Sequence, residues 1–315
     1  MVKLATRLTG LPGVSMSHQE RMASHTTLRI GGPAELLLRI QNDTALQRVL
    51  KATYQENAPF RLLGLGSNVL IPDEGLAGVV AILEGDFLDW SFRGEMAAAG
   101  AGLPLSRLAR AAAERGLSGL EALAGFPSTV GGAVVMNAGC YGVEIKDVLE
   151  SVTVVQLDGT IETLAPGDLQ ARYRTTKLQN SSAVVLRATF RLQEGDPEEV
   201  IGRLRDLNQR RRRSMPGGRP NAGSVFKNPP GDHAGRLIDG CGLKGTRRGG
   251  AEISHEHANV IVNTGDATAA DVLDLMVLMR RGVERQCGVL LEPELILTGG
   301  LRAHWESRVG ENAAS

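Results

Sequence analysis

Apolar and polar positions along the chain follow two rhythms, short apolar runs and helical spacing. "AELLLRI" (34–40) and "GVVAIL" (78–83) are compact apolar runs bounded by turn residues, the pattern of buried strands. "NDTALQRVLKATYQEN" instead places Leu46, Val49, Leu50 and Tyr54 at helical spacing, with Asp43 or Thr44 positioned to cap. "FRLLGLGSNVLI" reads as strand, glycine turn, strand. "LPLSRLARAAAERGL" has its apolar positions at Leu105, Leu108, Ala109, Ala112 and Leu117, an amphipathic helix. "VTVVQLDGTIETL" is a hairpin around Asp158 and Gly159, a pair that readily takes the backbone of a tight turn. "AVVLRATFRL" adds a further strand to that unit.

The composition then shifts. "QEGDPEEVIGRLRDLNQRRRRSMPGGRP" is charged and ends in Pro and Gly, which places a boundary between about Gln193 and Arg210. Beyond it lie "AGRLIDGCGL", "NVIVN" and the helix "TAADVLDLMVLMRRGVERQCG". Thr268 and Asp271 form a capping-box start for that helix, and Gly288 is its stop. After Gly300 the chain is polar and is expected to fray. Strands and helices interleave throughout, an α/β or α+β pattern.

Charge and composition narrow the function classes. Lys+Arg and Asp+Glu balance at 35 each, so no global field draws the chain to nucleic acid or an anionic membrane. Cys140, Cys241 and Cys287 are odd in number and far apart, which argues against a disulfide framework or a zinc cluster and fits a reducing cytoplasm. The first residues lack the apolar core of a signal peptide, and no run of ~18 apolar residues predicts a membrane span.

Five constellations could carry chemistry. Gly64 and Gly66, followed by Ser67 and Asn68, make either an anion-binding turn or a tight strand connection. The dinucleotide fingerprint is excluded there, because no helix follows and the third glycine is missing. "LAGFPSTVGGAVVMNAGCYG" sets Ser128, Thr129 and Asn137 among Gly125, Gly131, Gly132, Gly139 and Gly142. That stretch is either a surface for a phosphate-bearing cofactor or a pair of loops packed on themselves. In "ARYRTTKL", Arg172 and Arg174 share one side if the segment is extended, whether in a site or on a solvated strand face. "NAGSVFKNPP" holds Ser224, Lys227 and Asn228. A serine beside glycine is ordinarily a turn residue, and Ser224 lacks the G-x-S-x-G elbow of a hydrolase. In "GVLLEPELILTG", Glu292 and Glu294 flank Pro293, at a sheet edge or in a site. His255 and His257 have no cysteine near enough in sequence to complete a metal set, so no metal is expected. Arg210–Arg213 is a solvated helix terminus or an anion contact.

In this order the motifs resemble the UDP-N-acetylenolpyruvoylglucosamine reductase family, flavoenzymes of peptidoglycan precursor synthesis. The stretches that carry the resemblance are "TTLRIGGPAELLL", "LGLGSNVLI", "GLEALAGFPSTVGGAVVMNAGCYGVEI", "YRTTKL", "PNAGSVFKNPPGDHAGRLID", "GLKGTRRGGAEISHEHANVIVN" and "GVLLEPEL", from Thr26 to Gly299. The resemblance implies an α+β protein of the family's shorter, second type. It has a two-part FAD-binding region of the vanillyl-alcohol-oxidase type (18–85 and 86–194), a smaller α/β substrate-binding domain (205–299) and a tail (300–315).

It further implies non-covalent FAD, held by Gly64, Gly66, Ser67, Asn68, Pro127, Ser128, Thr129, Gly131, Gly132, Asn137, Ala138, Gly139 and Gly142. NADPH is then the hydride donor and a nucleotide sugar the substrate, with Arg213, Lys227 and Asn228 as its holders. Arg174, Ser224 and Glu294 become the catalytic groups, with Glu292 as the alternative carboxylate. The chain departs from the family pattern at Phe126-Pro127-Ser128 (usually Ile-Pro-Gly), at Thr176 (often Ser), at Cys140 (usually small) and in "ELILTG", which lacks an arginine. Two other readings are another FAD oxidase or dehydrogenase on the same cofactor domain, and a non-catalytic nucleotide- or nucleic-acid-binding module using Arg210–Arg213.

Overall fold

The computed structural model describes residues 1–310; the last five residues of the expected tail lie outside the described part. The chain divides into two compact units. The first comprises Met1–His18, Leu36–Leu65 and Gly78–Arg211; the second comprises Gln19–Glu35, Gly66–Ala77 and Arg212–Ser315.

In the first unit, a five-stranded antiparallel sheet runs in the order Ile161–Leu164, Leu149–Val155, Val184–Arg191, Met96–Gly100, Trp90–Arg93. The hairpin expected at Asp158 and Gly159 is present, with Val155 paired to Ile161 and Gly159 at φ 92°. The unit also holds the body of a four-stranded sheet, order Val14–Arg21, Pro33–Ile40, Leu76–Leu83, Phe60–Leu62. Helix α1 (Val2–Leu8) packs on α2 (Asp43–Gln55) through buried Leu4 and Leu8.

Helix α2 is capped one residue earlier than the pattern suggests. Asn42, not Asp43 or Thr44, accepts the Ala45 amide at 2.9 Å. Asp43 instead makes an ion pair with Arg187. Tyr54 closes the helical spacing but stands exposed: in the last turn of α2 the buried face is carried by Ala52 and Thr53, and Tyr54 lies outside it. Helix α3 spans Leu105–Ala113 and buries Leu105, Leu108, Ala109 and Ala112 as expected. It stops before Leu117, because the chain turns at Gly116, φ 72°, and Leu117 enters a short strand. Helices α4 (Val130–Val135) and α5 (Pro197–Ser214) follow, and α5 runs through the stretch where the composition shifts.

The second unit centres on a four-stranded antiparallel sheet, order Asn221–Ser224, Val260–Asn263, Ala251–Ile253, Arg247–Arg248. Helices α6 (Ala234–Gly240), α7 (Ala269–Cys287) and α8 (Leu301–Gly310) cover it. Both expected ends of α7 are present: the Thr268–Asp271 capping box and the left-handed Gly288 at φ 67°.

Residues 301–310, expected to fray, form α8. Polar by composition, the segment places Leu301 and Trp305 four apart on one face, and both are buried. The Trp305 ring lies 6.0 Å from that of Phe226, tilted by 49°. Among the described residues no helix is long and apolar enough to cross a membrane.

Candidate active site

The turn from Gly64 to Asn68 connects strand Phe60–Leu62 to strand Val69–Leu70. Gly66 sits at φ 61°, and a Cβ there would lie 2.1 Å from the His25 carbonyl oxygen, so only glycine fits. A Cβ on Gly64 would meet Thr129 Oγ1 at 2.8 Å. The amides of Leu65 and Gly66 make no hydrogen bond among the described residues. Ser67 is half-buried beside them. Asn68 has a different task. Its Nδ2 donates to the Glu294 carbonyl at 3.1 Å, and its own carbonyl accepts the Ile296 amide at 3.1 Å.

The second glycine stretch belongs to the first unit. Its apolar segment "AVVM" contributes to α4, whose cap is Thr129: the Thr129 hydroxyl accepts the Gly132 amide at 3.1 Å. Gly131 allows close packing, since a Cβ there would come 2.9 Å from that of Ala101. Ahead of α4, the amides of Gly125, Phe126, Ser128 and Thr129 have no hydrogen-bond partner among the described residues. Pro127 between them is exposed.

After α4 the chain turns at Asn137, φ 40° and 1% exposed. Asn137 Nδ2 donates to Glu144 Oε2 at 3.0 Å and to the Arg172 carbonyl at 2.9 Å, while its Oδ1 accepts the Lys146 amide at 3.0 Å. Its side chain thus holds three segments together. The Ala138 amide bonds the Ala133 carbonyl. Gly139 and Cys140 pair with Glu144 and Val143 in a hairpin turned by Tyr141 and Gly142, φ 52° and 83°.

"ARYRTTKL" is not extended. Arg172 and Thr175 exchange backbone hydrogen bonds at 2.9 and 3.0 Å, closing a tight turn with Arg174 at φ 56°. Arg172 and Arg174 therefore do not share a strand face. Arg174 is half-buried, and its Nη2 donates to the Gly139 carbonyl at 2.8 Å. A non-glycine residue held in the left-handed region costs on the order of 1–3 kcal/mol and is found where surroundings over-determine it, commonly at functional sites.

In the second unit the fold gathers Ser224 and Glu294. The Val225 amide donates to the Asn259 carbonyl, and the Val225 carbonyl accepts the Glu294 amide, both at 2.9 Å. Lys227 donates its amide to the Glu292 carbonyl at 2.9 Å, and Phe226 bridges to Pro293. Buried Asn259 brackets Phe226, accepting its amide at 3.0 Å and donating to its carbonyl at 2.8 Å. Sequence reading passes over Asn259; its signal is a polar residue at the head of the apolar run "VIVN".

The half-buried Ser224 hydroxyl makes no hydrogen bond among the described residues. Of the two carboxylates, Glu292 is exposed and pairs with Lys227 Nζ at 3.4 Å, whereas Glu294 is half-buried. Asn228 Oδ1 accepts the Ala234 amide at 3.0 Å at the head of α6. Next to it, hydrogen bonding from the Arg236 guanidinium holds the Asp232 carboxyl down to about 2. Arg213 is exposed in the last turn of α5.

Residues 215–298 match the family described as UDP-N-acetylenolpyruvoylglucosamine reductase, C-terminal domain, and residues 34–165 match an FAD binding domain. UDP-N-acetylenolpyruvoylglucosamine reductase 2 of Symbiobacterium thermophilum is 44% identical over 302 residues, 95% of this chain and 98% of its own length. The chain belongs to the UDP-N-acetylenolpyruvoylglucosamine reductase family. The family's member from Halalkalibacterium halodurans is 39% identical over 299 residues, covering 95% of this chain and 99% of its own. The solved reductase of Thermus caldophilus is 41% identical and superposes with a TM-score of 0.78, covering 91% of this chain and 99% of that one. The fold is accordingly α+β, with an FAD-binding domain followed by the reductase family's C-terminal domain.

The residues present fit a flavin diphosphate. Four unpartnered amides lie within 125–129, and no carboxylate occurs among those five residues to repel an anion.

Proposed function

We propose that this chain reduces the enolpyruvyl ether of UDP-N-acetylglucosamine enolpyruvate to the lactyl ether of UDP-N-acetylmuramate, with NADPH as reductant and FAD as cofactor. The observation that carries the reading is the match to reductases over nearly the whole chain. The juxtaposition of Ser224 and Glu294 in the second unit supports it. Bound FAD would supply the hydride relay between NADPH and the vinyl carbon of the substrate. The amides of 125–129 and those of Leu65 and Gly66 are the proposed donors to its phosphates.

Hydride arrival leaves negative charge on the carbon beside the substrate carboxylate. Arg174 is the proposed cation for that charge, where one well-placed donor is worth on the order of 10²–10³ in rate. Ser224 is the proposed general acid, protonating the adjacent carbon rather than attacking it. Its hydroxyl makes no hydrogen bond among the described residues, and the backbone on both sides of it is hydrogen-bonded. Glu294 is the proposed carboxyl partner in stabilising the enolate. It is favoured over Glu292, which is exposed and ion-paired with Lys227. Lys227, Asn228 and Arg213 are the proposed holders of the nucleotide sugar.

The test separates the two half-reactions. Anaerobic NADPH should bleach the flavin absorbance, and the enolpyruvyl nucleotide should restore it. A protein reduced by NADPH but not reoxidised by that substrate would be a different flavin dehydrogenase.

A further inference from the structure

The arginines at the end of α5 are not equivalent. Arg213 is exposed, whereas Arg211 is half-buried against the two ends of the second glycine-rich stretch, in the first unit. Its guanidinium carbon stands 5.8 Å from the centre of the Phe126 ring. Its Nη1 donates to Cys140 Sγ at 3.7 Å. Gly125 admits this packing: a Cβ there would come 2.9 Å from Arg211 Cδ and 3.0 Å from Asn208 Oδ1. Phe126 and Cys140, two of the departures from the family pattern, are thus two residues that Arg211 touches.

We propose that Arg211 is a positioning residue for the flavin diphosphate, clamping the 125–129 turn to the 139–142 hairpin and adding a fixed cation beside the unpartnered amides. The proposal rests on the FAD reading above. Sulfur is a weak acceptor, and its contact fixes where the Nη1 end of the guanidinium lies. The ring contact sets the cation over the face of Phe126, and the sulfur contact uses an N–H of the same guanidinium. A lysine ammonium has no such planar fork.

The experiment titrates apoprotein with FAD and, separately, with riboflavin, which has no phosphate, following flavin fluorescence. Arg211→Gln should weaken FAD binding on the order of 10- to 100-fold, the worth of a charge-assisted contact. It should leave riboflavin affinity and the apoprotein melting temperature unchanged. Arg211→Lys should recover part of the loss. FAD affinity equal to wild type in Arg211→Gln would overturn the proposal, as would equal loss of both flavins, which marks a general packing role. If Arg211→Gln does not fold, Arg211→Lys decides, with a loss confined to FAD expected and no loss overturning the idea. A wild-type protein that binds no FAD would instead overturn the functional reading, a result distinct from an unchanged variant.

Discussion

Glu294 is tied to Val225, the neighbour of Ser224: its amide donates to the Val225 carbonyl at 2.9 Å. The same short pairing seats Lys227 on Glu292, so the serine and the carboxylate come as one backbone unit. Ser224→Ala should leave this unit intact and remove only a hydroxyl. Flavin reduction by NADPH is expected to be unchanged, while reoxidation by the enolpyruvyl substrate slows roughly 10²–10⁴-fold. Stopped-flow absorbance reads both halves. Equal slowing of both would mark Ser224 as structural.

Arg174 separates strain from function. At φ 56° glycine is the relaxed residue, so Arg174→Gly relieves the backbone while deleting the guanidinium. Its melting temperature should be at or above that of Arg174→Ala, whose Cβ keeps the strain. Both should lose on the order of 10²–10³ in the substrate half-reaction. Near-normal turnover of Arg174→Gly at saturating substrate would remove Arg174 from the chemistry.

Gly132 tests the flavin surface. It is exposed in α4, and a Cβ there would lie 3.2 Å from Thr129 Oγ1 and 3.5 Å from Ser128 Oγ, so a few tenths of an ångström of movement admits alanine. Alanine also favours the helix by up to about 1 kcal/mol. Gly132→Ala should therefore match or exceed wild type in apoprotein melting temperature, yet purify poor in flavin. Full flavin content in that variant would show that no ligand approaches there.

Glu121 sets an acid limit. It is 7% exposed, and its carboxylate accepts the Gly119 amide at 2.6 Å, the Ser118 hydroxyl at 2.9 Å and Arg203 at 3.2 Å. Burial pushes its pKa up, but the backbone amides, Ser118 and Arg203 together outweigh that and hold it below the ordinary value. A depressed folded-state pKa stabilises fully above the unfolded value of about 4.3, and this is lost as pH falls through the folded one. Glu121→Gln should cost about 1–3 kcal/mol at neutral pH. It should also flatten the fall in stability below about pH 4. Urea unfolding at several pH values checks this, and parallel pH profiles for the two proteins would contradict it.

The sequence by itself determined the parts governed by neighbours a few positions apart. The turn at Asp158 and Gly159, the cap at Thr268 and the stop at Gly288 follow from backbone preference and local hydrogen bonding. The buried face of α3 follows from spacing, and the ordered motifs identify the family. Tertiary structure decided what depends on partners distant in the chain. Leu301 and Trp305 look like a polar tail until Phe226 supplies a surface to bury against. Arg172 and Arg174 read as strand neighbours until the Arg172–Thr175 pairing closes a turn. Asn137 reads only as a polar residue among glycines until the fold brings Glu144, the Lys146 amide and the Arg172 carbonyl to its side chain. Each of these outcomes turns on which backbone and side-chain groups satisfy one another once water is excluded, and that choice is made by the folded chain as a whole.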